Sequence, residues 1–193
     1  MAIKLTKGAN ISLAKEAPGL TDAVLGLGWG QKKTKGFLGR TKLVDVDLDA
    51  SCLMFNGQKI IDTIWFQQLK SKDGSVTHTG DDVTGGGKEG VPNEEILVRL
   101  NAVPKDVSTL IFTVNSFSSD SFDGIPNAFC VLKDHKTQNV IARYDLSVQG
   151  GGHTGLVIAK LYRHNNEWKF KALGDWGEGR TVDKLLPIIT PSL

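Results

Sequence analysis

Short apolar runs closed by Gly, Pro, Asn-Gly or Asp-Gly recur along almost the whole of this 193-residue chain. Helical periodicity is confined to Thr181–Leu186, where Thr181 is placed to cap, Val182, Leu185 and Leu186 share a face and Pro187 is placed to stop the turn. About ten short strands at regular spacing with so little helix predict an all-β fold, an antiparallel β-sandwich with a short C-terminal helix. The expected strands are a pair or bulged strand over Ile3–Leu13, then Val24–Trp29, Val44–Ala50 running on toward Asn56-Gly57, Ile60–Phe66, Ile96–Leu100, Thr109–Ser116, Ala128–Lys133, Val140–Leu146, Gly155–Arg163 and Glu167–Leu173. Glycines in L-G-L-G-W (Leu25–Trp29) suggest a bulge or a close backbone approach. No repeat, linker or low-complexity tract divides the chain, so residues 1–193 are expected to form one domain.

Charge is distributed unevenly over this frame. Val44–Glu95 holds ten of the 21 acidic residues against four lysines, a local charge of −6, whereas the whole chain is formally +2. Asp45, Asp47 and Asp49 alternate with Val44, Val46, Leu48 and Ala50, the period of a strand with its carboxylates on one face. Successive carboxylates on such a face start about 7 Å apart and repel by roughly 2 kcal/mol at an effective dielectric near 20. A hard cation turns that cost into a binding site, and the Gly-rich stretch after His78 adds Asp, Glu, Asn and backbone carbonyls of the kind calcium prefers. The alternative is a solvated acidic face. The run is not an EF-hand, because Ala50 stands where that loop needs Gly and Asn56 where it needs Glu. Nor is Gly85-Gly86-Gly87-Lys88 a phosphate loop, because Glu89 follows the lysine and Asp82 falls on the first glycine position.

Other residue types narrow the function classes. His78 lies close in sequence to Asp81 and Asp82, but no second His or Cys stands at ligand spacing, so a turn or hydrogen-bonding role is the stronger reading. No G-x-S-x-G, H-E-x-x-H or evident Cys and His pairing points to nucleophilic or zinc catalysis, and the chain is read as no enzyme. Cys52 and Cys130 each sit in an apolar run, which suggests buried reduced thiols and a cytoplasmic location. Neither a leader-like apolar segment nor a membrane-spanning run is evident. A pI near 8.5 is too mild to imply nucleic acid. Residues 31–42 carry five cations and no acid, and are expected to be a solvated hairpin tip or, alternatively, the contact surface of a calcium-independent scaffold.

These segments, taken together, give a resemblance. K-G-A-N-I-S-L-A-K-E-A-P-G-L, G-L-G-W, D-V-D-L-D-A-S-C, L-K-S-K-D-G-S-V-T-H-T-G-D-D, F-T-V-N-S-F, A-R-Y-D-L and G-R-T-V-D-K-L-L-P occur in order, and the chain resembles the TerD family of tellurium-resistance and stress proteins, most closely its TerZ-like branch. The resemblance implies a non-enzymatic, calcium-binding β-sandwich whose ion orders an acidic loop for partner binding. It further implies partners among proteins of the tellurite-resistance and stress system, and a peripheral membrane-associated complex. Carried over residue by residue, it implies a metal set of Asp47, Asp49, Asp81, Asp82, Asn93, Glu94 and Glu95. The chain departs from the family pattern at Gln67, Gln68, Gly86, Lys88 and Asn93; the last three lower the negative charge of the loop, which implies fewer ions or weaker affinity.

Overall fold

The computed structural model describes residues 2–35, 40–88, 90–146, 151–165 and 167–193. Two six-stranded sheets face each other. The first runs β1 (Ile3–Lys4), β12 (Val140–Asp145), β11 (Phe129–Asp134), β3 (Asp22–Gly28), β9 (Glu94–Arg99) and β8 (Val76–His78). The second runs β2 (Asn10–Ser12), β14 (Glu167–Gly177), β13 (Gly155–His164), β10 (Thr109–Ser116), β6 (Leu48–Asn56) and β7 (Lys59–Ile64). A separate two-stranded ribbon, β4 (Lys32–Lys35) with β5 (Thr41–Val44), joins them. Every pair is antiparallel except β1 with β12.

The apolar pattern explains the layering. Leu110, Phe112 and Val114 of β10 and Leu48, Ala50, Cys52 and Met54 of β6 point between the sheets into the main core. Their alternate neighbours Ile111, Leu53 and Phe55 point the other way, beneath Val182, Leu185 and Ile189 of the C-terminal segment. A strand covered on both faces has no exposed side to show, so β10 is buried along its whole length and Leu110–Phe112 runs apolar without alternation. Burying Phe112 from an exposed reference contributes about 2–3 kcal/mol by area alone. The first sheet meets its neighbours differently: a Cβ on Gly26 would lie 2.5 Å from Pro92 Cγ and one on Gly28 2.5 Å from the Phe129 ring, so the glycines of L-G-L-G-W are there for close approach. Cys52 and Cys130 are buried and unbridged.

The sandwich stands as expected, with four corrections. Fourteen strands are present among the described residues instead of about ten, the excess being short pieces such as β1 and β8. Ile3–Leu13 forms no hairpin: β1 joins one sheet and β2 the other, so this stretch staples the two sheets across the edge. The strand expected over Val44–Ala50 is interrupted, because β5 ends at Val44 and β6 begins at Leu48 as the chain crosses from the ribbon to the second sheet. At the C-terminus Thr181 makes no side-chain cap, Val182–Leu185 is a 3-10 turn, and Pro187 opens the short helical turn Leu186–Ile189 instead of ending it. The Asn56-Gly57 hairpin is present with Asn56 paired to Lys59, while the tip residue Asn166 and residues 36–39 of the basic loop lie outside the described ones.

Candidate metal centre

The end of β6 and the β8–β9 connection meet because both sheets open there. β10 fixes β6 through the Asn115 to Asp49 and Ser116 to Leu48 pairs, and the Phe117 amide continues the ladder to the Asp47 carbonyl (2.9 Å). Opposite them, Glu94 starts β9. Its side chain is fully buried and reaches across to the second sheet, where Oε2 accepts the Ala50 amide at 2.8 Å, while Oε1 accepts the Asp82 amide at 3.0 Å. One carboxylate thus fastens both chain segments that carry the remaining acids.

His78 completes this buried seam. Its Nδ1 accepts the Gly80 amide at 3.1 Å, so Nε2 carries the proton and faces the Ala50 carbonyl at 3.2 Å and Glu94 Oε2 at 3.3 Å. The hydrogen-bonding role expected for His78 is the one observed.

The loop itself is folded around Asp82 and Trp29. Asp82 Oδ1 accepts the Thr84 amide (2.9 Å), the Thr84 hydroxyl (2.7 Å) and the Gly85 amide (3.1 Å), and Oδ2 accepts the Asn93 side-chain amide (2.9 Å). Burial works against the charge of Asp82, but these four donors outweigh it and hold the acid down to about 2. Asn93 uses its other end to accept the Trp29 amide, and Trp29 Nε1 donates to the Val46 carbonyl at 2.7 Å. Gly85 rests on that indole with φ +67, where a Cβ would come within 2.4 Å of Nε1. Gly86, at φ +78, packs on Gln31. A glutamate there would need a left-handed backbone and a displaced Gln31.

What remains is a group of three acids with no such donors among the described residues. One carboxylate oxygen from each of Asp47, Asp49 and Asp81 lies within 4.8 Å of the others, and Asp81 faces solvent. At that spacing two full charges repel by about 3 kcal/mol for an effective dielectric near 20. Asp47 Oδ1 and Asp49 Oδ2 are buried without a hydrogen-bond partner among the described residues. Burial, then Asp47, Glu94 and Asp81, push the Asp49 acid up to about 8. Burial, then Asp81 and Glu94, also raise Asp47, against a smaller opposing pull from Arg180. Three clustered carboxylates, two of them with an orphaned oxygen, fit a hard cation that prefers oxygen ligands; the absence of sulfur and of a free imidazole nitrogen in the group argues against zinc.

Of the seven residues expected to hold metal, the structure therefore brings Asp47, Asp49 and Asp81 together. Asp82, Asn93 and Glu94 stand beside them but are engaged with protein donors and acceptors. Glu95 points elsewhere, pairing with Lys133 at 2.5 Å. Asp45 is also turned away, accepting from Gln31 Nε2 at 2.6 Å. Gln68 lies in the turn after β7, where it donates to Asp62. Trp29 was not foreseen as part of the site; its place after L-G-L-G marks a strand end, and nothing local signals that a loop far along the chain will pack on it.

With this geometry in view, comparison with known proteins is consistent from end to end. A family model described as the TerD domain matches residues 1–186. The tellurium resistance protein TerZ of Serratia marcescens is 44% identical over 187 residues, covering 95% of this chain and 94% of its own length. The stress response protein SCP2 of Bacillus subtilis (strain 168) is 37% identical over 202 residues, covering 98% of each. Among solved structures, a homologue of telluride resistance protein (TerD) from Streptomyces coelicolor A3(2) superposes with a TM-score of 0.69 at 16% identity, over 87% of this chain and 96% of that one, a likeness of fold. This chain belongs to the TerD family of tellurium-resistance and stress-response proteins.

Proposed function

We propose that the chain is a non-enzymatic calcium-binding protein of a tellurite-resistance and stress system, acting in the cytoplasm. The ion is held by Asp47, Asp49 and Asp81. The observation that carries this reading is that Asp47, Asp49 and Asp81 each bring a carboxylate oxygen within 4.8 Å of the others, while Asp47 Oδ1 and Asp49 Oδ2 are buried with no hydrogen-bond partner among the described residues. A protein interior rarely leaves such atoms without compensation, because each costs roughly 1–3 kcal/mol. A divalent ion cancels both the repulsion and the desolvation, and backbone carbonyls and water complete the oxygen shell.

Asp82, Asn93 and Glu94 act in this reading as positioning residues that hold the loop over the site, and Glu95 lies outside it. Three acids with no contribution from Gly86 or Asn93 supply a smaller charge than the full family motif, which favours a single ion. The function is binding, since the imidazole nearest the acids is committed at both ring nitrogens. Ordering residues 79–93 by the ion then presents that loop to other proteins of the same system.

The test is thermal unfolding of chelator-stripped protein with calcium, with magnesium and with neither. Calcium at about a hundred times its Kd should stabilise by about 3 kcal/mol, magnesium should do much less, and Asp81→Ala should remove the calcium effect. Equal melting in all three solutions would overturn the reading.

A further inference from the structure

Asp49 has a neighbour outside the seven residues expected to hold metal. In the β6–β10 ladder Asn115 stands directly opposite it, and both face away from the main core, since Leu48, Ala50 and Val114 beside them face into it. Opposed residues on one face of an antiparallel pair have Cβ atoms about 4.5–5.5 Å apart. The next opposed pair on that face is Ser51 with Thr113. All four side chains are buried, in a layer whose continuation, Leu53, Phe55 and Ile111, is apolar.

The Asn115 side chain is 1% exposed, and its two ends are treated unequally. Nδ2 donates to the Gly179 carbonyl at 2.7 Å and to the Thr181 carbonyl at 3.3 Å. Carbonyls accept and do not donate, so the nitrogen must face them and the orientation of the amide is fixed. Oδ1 is left buried with no partner among the described residues, as is Oδ2 of Asp49. Gly155, which pairs with Asn115 from β13, leaves the room: a Cβ there would lie 3.2 Å from Nδ2 and 2.9 Å from Leu185 Cδ2.

Two acceptors on opposed residues have no proton to share, and leaving both bare is costly. An oxygen-seeking cation satisfies both, because two ligand oxygens on one calcium lie up to about 5 Å apart and amide carbonyls belong to its usual shell. We propose that Asn115 Oδ1 is a further, neutral ligand of the ion, in place of one of its waters, and that Asn115 thereby links ion binding to the C-terminal segment. This rests on the calcium site proposed above. Coordination at Oδ1 polarises the amide and strengthens the bonds that Nδ2 makes on either side of Arg180. Arg180 itself donates from Nε to the Phe117 carbonyl (2.7 Å), and the Phe117 amide donates to the Asp47 carbonyl (2.9 Å). Residues 179–181 are thus tied to the strands that carry Asp47 and Asp49, and form a second place besides residues 79–93 that the ion orders.

The test loads terbium in place of calcium, counts the waters on the ion from its luminescence lifetimes in light and heavy water, and compares the parent with Asn115→Ala and Asn115→Asp. Asn115→Ala should show about one more bound water and a calcium affinity lowered by about tenfold. Asn115→Asp keeps an oxygen and adds charge, so it should keep the parent's water count and bind calcium at least as tightly, while losing the amide donor. Calcium should therefore slow trypsin cleavage after Arg180 by at least about fivefold in the parent and much less in Asn115→Asp. A parent that takes up no calcium overturns the calcium site and this inference with it. A parent that binds calcium while Asn115→Ala leaves the water count unchanged overturns the inference alone, whatever the affinity does, because a purely structural role moves only the affinity. If Asn115→Ala does not fold, weaker calcium binding by Asn115→Asp than by the parent overturns it. Cleavage after Arg180 that ignores calcium in the parent overturns the link to the C-terminal segment.

Discussion

Asp49 and Asp62 are the same residue type on adjacent strands, and each is 6% exposed. Their surroundings are opposite. Asp62 accepts the Thr63 amide (3.0 Å), the Gln68 side chain (2.9 Å) and the Lys72 amide (2.8 Å). Burial works against its charge, but these donors and the nearby Lys72 ammonium hold its acid below the usual carboxylate range. Asp49 has an orphaned oxygen and three acids around it, and its acid is pushed up to about 8. Burial alone thus does not decide what a carboxylate is for; the donors around it do. Asp62 is complete within the protein and holds a turn together, whereas Asp49 keeps an oxygen with no partner among the described residues, which the proposed ion would satisfy. Asp81 and Asp82 repeat the contrast between neighbours in sequence, since Asp82 is surrounded by four donors and Asp81 by none among the described residues.

The comparison breaks first where the two kinds of carboxylate are linked. Glu94 is structural by its hydrogen bonds yet carries both halves of the metal centre. Glu94→Ala strands the Ala50 and Asp82 amides and removes one of the two acceptors facing His78 Nε2, and should cost about 4 kcal/mol in chemical denaturation, together with calcium binding. A variant that unfolds like the parent would show that the seam does not hold the site.

A crossed pair comes next. Asp62→Ala should cost about 2–3 kcal/mol of stability and leave calcium affinity unchanged by calorimetry. Asp49→Asn should do the reverse, matching or exceeding the parent's stability in chelator while weakening calcium by about a hundredfold.

Stability against pH sharpens the same contrast. In the metal-free protein folded Asp49 keeps its proton up to about pH 8, whereas the unfolded chain releases it near pH 4. Across that window the native state binds more protons, so metal-free stability should fall as pH rises from about 4 to 8. Saturating calcium should flatten the slope. Asp62 has the opposite sign, its contribution being lost only as pH drops below the ordinary carboxylate range. Denaturation midpoints measured across the range in chelator and in calcium check both.

The smallest effect is expected at Lys88, which is exposed on the loop. Lys88→Ala should tighten calcium by no more than about threefold, because an exposed charge is heavily screened.

Much of this was legible in the residues. Thr109–Ser116 is a strand with the bounds its sequence implied, and Asp47, Asp49 and Asp81, three of the seven residues singled out in the sequence, stand within reach of one another. Strand periodicity is local and survives translation into sequence. Features that depend on partners far along the chain do not survive it. Nothing in Ile3–Leu13 says that its two ends pair with β12 and β14 in different sheets. Nothing in D-D (Asp81, Asp82) says which carboxylate will be capped by Thr84 and Asn93, and Glu95 reads as well as Glu94 until the strand period sends them to opposite faces of β9. At the C-terminus propensity suggested a capped helix, but the need to cover Leu53, Phe55 and Ile111 shaped the segment into short 3-10 and helical turns.

The central claim is that Asp49 and its neighbours wait for an ion. Calorimetric titration of calcium into chelator-stripped protein at pH 7, in two buffers of different ionisation heat, tests it most directly. The account predicts saturable binding near one ion per chain, with roughly one proton released on binding because Asp49 must give up its own, and loss of both signals in Asp49→Asn. Heat that is absent, or that persists unchanged in Asp49→Asn, would contradict it.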